Sequence, residues 1–182
     1  MLLHGKINTQ DNNITRKNLA LLGACCFFLC AVEYMIPKPL PFLRIGLANL
    51  PLMLALDIFS FRSFMKLVFI KIFGQALITG TLFSYIFLFS LAGTLFSALF
   101  MYFLRNFFGR DRTTFAGIGT AGAMISNLAQ LALAWVFIFD GNVRYLTPVF
   151  LVAGFVTGIT LGVFCEIFSR KSLWYRQRLR NQ

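Results

Sequence analysis

The sequence predicts an all-α integral membrane protein with six transmembrane helices. Hydrophobic residues occupy 58% of the 182 positions and charged residues only 13%, whereas soluble domains contain about 25% charged residues. Runs of about 20 apolar residues, long enough to cross about 30 Å of hydrocarbon, recur along the chain. No polar stretch is long enough for a separate soluble domain. We therefore assign a single membrane domain with a polar N-terminal segment (1–17), a six-helix core (18–168) and a basic tail (169–182).

Proline-rich, glycine-containing and charged segments divide the apolar runs and predict where each helix begins and ends. Helix one ends at Pro37, the first of three closely spaced prolines, and Pro51 should remove a backbone hydrogen bond from helix two and kink it. The next apolar block is too long for one span, and Gly80 among hydroxyl residues marks its division into helices three and four. The predicted helices are about 18–36, 44–59, two within 64–104 that divide at 79–85, 114–139 and 146–168.

The distribution of positive charge predicts the orientation in the membrane. On a six-helix topology, 13 lysine and arginine residues fall on one side and only Lys38, Arg44 and Arg144 on the other. Because positive residues concentrate on the cytoplasmic side, we expect both termini to be cytoplasmic, in a multi-pass protein of a bacterial cell membrane. The net charge of +11 then reflects topology, and we expect the basic tail to contact anionic membrane lipid rather than nucleic acid.

The ionisable and sulfur-containing residues form no recognisable catalytic or metal-binding pattern in the sequence. The six acidic residues are scattered, so paired-carboxylate catalysis and an aspartate-rich magnesium site have no local support. A glycine–lysine phosphate-binding loop is absent, and the four cysteines form no CxxC pair and have no histidine near them. We therefore expect no catalytic residue, no metal and no cofactor in this chain.

Several polar residues are predicted to lie at membrane depth. An ionised group there costs about 2.5–3.5 kcal/mol and usually faces the bundle interior or a cavity. Lys71 and Gln75 share one face of helix three at i, i+4, while Asn127 and Gln130 share one face of helix five at i, i+3. Asn49 lies on helix two. Two interpretations are open: these groups line a ligand pocket, or they join helices by hydrogen bonds worth about 0.6 kcal/mol per pair.

The segment EYMIPKPLPFLRIGLANLP (33–51) contains the first outer loop of this topology. Its IPKPLP run favours extended, polyproline-like backbone, which can cross the outer mouth of the bundle as a stiff strap. Glu33 and Arg44 then flank the strap and line a pocket; alternatively, the segment is an ordinary connector with an interfacial Lys38. The full set of predicted ligand-binding residues is Glu33, Arg44, Asn49, Lys71, Gln75, Asn127 and Gln130.

Four blocks of the sequence carry a resemblance to a known family. They are the first part of the same segment (33–49), GQALITGTLFS (74–84), SLAGTLFSALFM (90–101) and GIGTAGAMISNLAQL (117–131). Together they resemble the Gx transporter family, also labelled heptaprenyl diphosphate synthase component I, over about residues 21–162. The family often has a histidine at the position that Ser126 occupies in this chain.

The Gx transporter family is similar to the substrate-binding S components of energy-coupling-factor transporters. The resemblance implies an S-component-like bundle of six helices, a ligand pocket open to the outside, and a partner complex of a scaffold with two cytoplasmic ATPases. S components present small residues spaced by four on helix one to the scaffold. Ala20 and Ala24 have this spacing, with Gly23 beside them, and small residues at such a spacing allow helices to approach closely.

The sequence and the resemblance together predict a non-enzymatic subunit that binds a small organic molecule for transport. Lys71, Arg44 and Lys38 favour an anionic ligand, and the aromatic content tolerates a ring or an isoprenoid. One alternative is a noncatalytic membrane component of a heptaprenyl diphosphate synthase, with a separate soluble synthase subunit, because the chain lacks aspartate-rich segments that hold magnesium on diphosphates. Another alternative is a membrane anchor in a redox or flavin-handling assembly.

Overall fold

The computed structural model describes residues 2–36, 46–110, 112–137 and 143–180, and every regular element in these residues is helical. A 3-10 helix (Leu47–Asn49) precedes the second of seven α-helices. The α-helices are α1 Leu2–Met35, α2 Leu50–Ala55, α3 Phe61–Thr79, α4 Tyr85–Phe108, α5 Phe115–Phe137, α6 Val143–Lys171 and α7 Leu173–Arg180. The predicted all-α fold class is confirmed for the described residues.

Four of these helices are long and apolar enough to cross a membrane. They are residues 13–35 of α1, all of α4, all of α5 and residues 147–171 of α6. α3 has 19 residues but carries three cations, Arg62, Lys66 and Lys71. By length and composition the chain is a membrane protein, whereas the count of six spans and the orientation of the termini stay predictions.

The break between α3 and α4 falls where the sequence predicts it. α3 ends before Gly80, whose left-handed conformation (φ 66°) is common for the residue that follows a helix. Ser84 then caps α4, because its hydroxyl accepts a hydrogen bond from the N–H of Ile86 at 3.3 Å. α1 differs at its start: the helix begins at Leu2 and therefore extends well before the predicted span at 18–36.

Helix two differs from the predicted continuous span over residues 44–59. The described part contains only the 3-10 helix and the six residues of α2, followed by a turn at 56–58. Pro51 lies in the first turn of α2, where its missing N–H removes no intrahelical hydrogen bond, so the prediction of a kink at Pro51 is wrong. All six residues of α2 are buried, and this segment is a core element among the longer helices.

α5 and α6 pack with their backbones in contact along Gly158 and Gly162 of α6. A Cβ atom at Gly162 would lie 2.4 Å from the Cα atom of Ala116 and 2.6 Å from the carbonyl oxygen of Phe115. A Cβ atom at Gly158 would lie 2.7 Å from the Cα atom of Thr120. Glycines spaced by four residues allow this close approach, which fixes α6 against α5.

A buried ionic cluster of Asp57, Arg105 and Tyr175 joins several segments at one end of the bundle. Asp57, in the turn after α2, accepts hydrogen bonds from Nε and Nη2 of Arg105 on α4 at 2.7 and 2.6 Å. The Tyr175 hydroxyl of α7 donates to Asp57 at 2.7 Å, and burial together with the Asp57 charge raises the pKa of this phenol, so it keeps its proton. Arg105 also donates to the carbonyl oxygen of Thr113 at 2.6 Å. The cluster therefore holds α7 and the α4–α5 connection against the turn after α2.

Most of the described cations lie at the same end of the bundle as the ionic cluster. α3 and α7 begin at this end, and α4 and α6 finish at it. We call it the basic end, and its cations are Arg16, Lys17, Arg62, Lys66, Arg105, Arg110, Arg112, Arg170, Lys171 and Arg176. This asymmetry is what the positive-inside rule expects of a cytoplasmic end, and the orientation itself stays a prediction.

Gly162→Ala tests the backbone contact between α5 and α6. The new Cβ atom would overlap backbone atoms of α5, which cannot move aside as a flexible side chain can, so we expect a loss of about 1–3 kcal/mol in the free energy of unfolding. Gly117→Ala on α5 is the matched control, because its Cβ atom would meet only the Thr114 hydroxyl at 3.4 Å. Thermal unfolding in one detergent compares the two variants. Equal melting temperatures would contradict the close packing.

A double-mutant cycle tests the ionic cluster. The side chains of Arg105 and Asp57 are only 7% and 6% exposed, so Asp57→Asn leaves a buried guanidinium without its counter-charge and should cost about 3–5 kcal/mol. Asp57→Asn combined with Arg105→Gln should cost less than the sum of the two single variants, because each single change leaves a buried charge. Unfolding free energies measured in mixed micelles give the coupling. Additive losses would show that the two charges do not interact.

Candidate ligand-binding cavity

A polar cavity lies inside the bundle between α1, the 3-10 helix, α3, α4, α5 and α6. Its volume, measured as the space open to the centres of water molecules, is about 50 Å³. Apolar lining comes from Ala48, Met53, Met101 and Leu161. The polar residues that line it are Glu33, Asn49, Lys71, Gln75, Ser90, Thr94, Ser97, Ser126, Asn127, Gln130 and Thr157. Polar groups from six segments of an apolar protein thus meet in one buried space.

The cavity brings together the sequence-predicted residues that the structure describes. Glu33, Asn49, Lys71, Gln75, Asn127 and Gln130 all line it. Arg44 and the proline segment lie within residues 37–45, outside the described residues. The convergence of these side chains is a finding, and their contact with a ligand stays a prediction.

Lys71 carries a buried ammonium group into the cavity. Its side chain is on α3 and the residue is 4% exposed. The Nζ atom donates a hydrogen bond to Oδ1 of Asn49 on the 3-10 helix and another to Oγ1 of Thr94 on α4 at 3.4 Å. Because an ammonium group is costly to remove from water, these acceptors help to hold the charge within the bundle.

Glu33 brings a carboxylate to the same cavity from α1. The residue is 2% exposed, and its Oε1 atom accepts a hydrogen bond from the backbone N–H of Gly46 at 3.2 Å. Gly46 adopts a left-handed conformation (φ 83°), and a Cβ atom there would lie 3.0 Å from Nδ2 of Asn49. This glycine lets the chain turn so that its N–H meets Glu33 while Asn49 meets Lys71. The cavity therefore presents charges of both signs.

The hydroxyl groups of α4 form a wall of the cavity and are not among the sequence-predicted site residues. Ser90, Thr94 and Ser97 lie at i, i+4 and i+7 on one face of α4, and all three are buried. From the sequence, the apolar run that contains them is predicted only to span the membrane. Hydroxyl residues repeated at helical spacing within such a run are the signal that would have identified this face.

The two carboxamides of α5 differ in what they contact. Asn127 donates from Nδ2 to the backbone carbonyl of Phe150 on α6 at 2.6 Å, and the absence of a side chain at Gly154 makes room for it. Gln130 donates from Nε2 to the hydroxyl of Ser126 on its own helix at 3.1 Å. Asn127 therefore joins α5 to α6 by a hydrogen bond, which is one of the two interpretations of these groups. It also lines the cavity.

Two buried polar atoms of the cavity have no hydrogen-bond partner among the described residues. They are Oε1 of Gln75 on α3 and Oγ of Ser97 on α4. Leaving a buried acceptor or donor unpaired costs about 1–3 kcal/mol. Since one water needs about 10–15 Å³ measured in this way, the 50 Å³ cavity has room for several waters that could satisfy both atoms. A larger ligand would require the helices around it to separate.

The residues predicted to contact a partner helix lie on α1, away from the cavity. Ala20 and Ala24 are exposed, whereas Gly23 is buried and faces Ile70 of α3. The partner contact stays a prediction, and only the two alanines present an accessible surface for it. Among the described residues, no three histidine, cysteine, aspartate or glutamate side chains lie close enough together to hold a metal ion.

Two substitutions to leucine compare a cavity group whose buried oxygen has no partner among the described residues with a group that joins two helices. Gln75→Leu removes an unpartnered buried oxygen, so we expect no loss of stability or a gain of up to about 1 kcal/mol. Asn127→Leu removes the hydrogen bond between α5 and α6 and should cost about 1–2 kcal/mol. Unfolding midpoints in the same detergent provide the comparison. If Gln75→Leu destabilises the protein as much as Asn127→Leu, then Gln75 is a packing residue.

The comparisons with known proteins identify a family. The chain matches the family described as heptaprenyl diphosphate synthase component I over residues 22–168, a range that contains all the residues lining the polar cavity. No curated protein and no solved structure matches the chain. Because the match covers well over half of the sequence, the chain belongs to the heptaprenyl diphosphate synthase component I family.

Proposed function

We propose that this chain is the membrane-embedded, substrate-binding subunit of a transporter, similar to the S component of an energy-coupling-factor transporter. The observation that carries the proposal is the polar cavity, in which a buried ammonium, a buried carboxylate and four carboxamides converge from α1, the 3-10 helix, α3 and α5. If these polar groups served only to join helices, isolated hydrogen-bonded pairs would be sufficient. One shared cavity is the arrangement that also binds a polar molecule.

The unpartnered atoms argue that the cavity is built for more than packing. Gln75 and Ser97 each reduce stability as long as a buried atom lacks a partner. An apolar residue at either position would avoid that cost. A ligand that hydrogen-bonds to them satisfies both atoms directly, so these groups contribute to affinity in the complex.

The lining limits the chemical class of the ligand. Lys71 favours a carboxylate or another anionic group, and Glu33 on the other wall favours a hydrogen-bond donor or a positive group. Met53 and Met101 supply flexible apolar contacts that suit a ring or a short aliphatic part. We therefore assign a small organic molecule with an anionic group and at least one donor.

The position of the cavity supports uptake from outside. Glu33 and Gln75 lie close to the ends of α1 and α3 that point away from the basic end. If the basic end is cytoplasmic, as its charge predicts, the cavity belongs to the outer half of the membrane. The chain has no phosphate-binding loop, so ATPase partners would supply the energy through a scaffold that contacts α1 at Ala20 and Ala24.

A noncatalytic membrane component of a heptaprenyl diphosphate synthase is the second candidate, and the family description favours it. In that case a soluble synthase subunit would be the partner. The cavity is small and its lining includes many polar side chains, which does not suit a long prenyl chain. The prenyl chain would have to bind elsewhere on the protein.

Mass spectrometry of small molecules that co-purify with the protein in mild detergent tests the binding function. Lys71→Met removes the charge and keeps an unbranched side chain, so the retained molecule should bind roughly ten- to a hundredfold more weakly, a loss of about 1.5–3 kcal/mol. Lys66→Met is the matched control, because Lys66 is exposed on the same helix. Full affinity in a correctly folded Lys71→Met protein would rule out this cavity as the site.

Pull-down from the native membrane separates the two candidate functions. Retention of a scaffold with ATPase subunits supports transport, and Ala20→Leu with Ala24→Leu should then weaken it by crowding the α1 surface. Retention of a soluble, aspartate-rich synthase supports the component function instead. Prenyl diphosphate synthesis by the isolated chain would contradict both candidates.

A further inference from the structure

An apolar groove lies between α1 and α6, separate from the polar cavity. Its volume, measured in the same way, is about 350 Å³. Leu21 and Leu29 of α1 form one wall, Phe164 and Phe168 of α6 form the other, and Leu54 of α2 contributes to the floor. Leu21 and both phenylalanines are exposed, so in a bilayer the groove opens to hydrocarbon.

The two walls place positive charge at the same end of the groove. Lys17 lies one helical turn before Leu21 on α1, and Lys171 lies at i+3 from Phe168 on α6. α1 and α6 run in opposite directions, so both lysines are at the basic end. Both are exposed, and neither forms an ion pair with a described side chain. By this helical register, two ammonium groups without an ion-pair partner among the described residues lie beside the groove where it reaches the membrane surface.

α7 closes the groove at the basic end. Ser172 and Trp174 complete the lining, and Trp174 packs against the buried core. The hydrogen bond from Tyr175 to Asp57 fixes α7 in this position. Tryptophan is enriched at the level of the lipid headgroups. The groove thus ends at an interfacial boundary that carries positive charge and does not continue into solvent.

We propose that this groove binds one phospholipid with an anionic headgroup. An acyl chain fills the apolar groove, and the phosphate lies between Lys17 and Lys171. The apolar walls alone would accept the tail of any lipid, and the two lysines add selectivity for negative charge. The proposal is independent of the proposed transport function, because no residue that lines the groove also lines the polar cavity.

Native mass spectrometry of the full chain tests the headgroup selectivity. The protein is released from nanodiscs that contain equal amounts of phosphatidylglycerol and phosphatidylcholine with identical acyl chains. We expect preferential retention of one phosphatidylglycerol, and Lys17→Gln with Lys171→Gln should lower that preference roughly tenfold or more. Arg62→Gln with Lys66→Gln is the control: it removes two exposed charges from the same end and should leave the preference for phosphatidylglycerol unchanged. The proposal would be overturned if the unmodified chain showed no preference for phosphatidylglycerol, or if both double variants lost that preference equally.

A variant that fills the groove tests the position of the acyl chain. Cys25→Phe introduces a ring into the α1 wall and keeps both lysines. We expect loss of the retained phospholipid with little change in the melting temperature. Unchanged retention in the folded variant would place the lipid elsewhere. A soluble prenyl diphosphate that displaces phosphatidylglycerol at equal concentration would overturn the assignment of the occupant.

Discussion

Lys71 places an ammonium group within an apolar helical bundle, and polar side chains from two other segments help to solvate that charge. The 3-10 helix brings Asn49 to the ammonium group, and α4 brings Thr94. Asn49 can reach Lys71 only because the chain turns inward at Gly46 and continues as the short, buried α2. A straight lipid-facing span at this position would leave the charge without one of its acceptors.

Hydrogen-bond accounting separates the polar groups that are satisfied within the bundle from those that are not. The ionic cluster is saturated: Asp57 receives three short hydrogen bonds from Arg105 and Tyr175, and it ties α7 to the bundle. Asn127 is likewise committed to the backbone of α6. Gln75 and Ser97 are different, because each presents an unpaired buried atom to the cavity. Groups of the first kind stabilise the bundle, and groups of the second kind support the proposed binding function.

Local patterns in the sequence predicted the parts of the structure that local chemistry determines. The spacing of Lys71 and Gln75 on one helical face, and the break at Gly80, are both properties of a few neighbouring residues. The prediction of helix two as a continuous span is wrong because a short buried segment and a transmembrane span are equally apolar. Periodicity does not distinguish them. Asp57 and Arg105 lie 48 residues apart, and only the packed fold shows that they meet. Arg44 lies outside the described residues.

The central claim is that the polar cavity is a binding site rather than a set of helix contacts. An experimental structure of the protein with the molecule that it retains on purification tests this claim most directly. Density for that molecule should lie within hydrogen-bonding distance of Nζ of Lys71 and the carboxamide of Gln75, with the surrounding helices displaced outward to admit it. A retained molecule bound elsewhere, with the cavity unchanged at about 50 Å³ and occupied by water alone, would contradict the account.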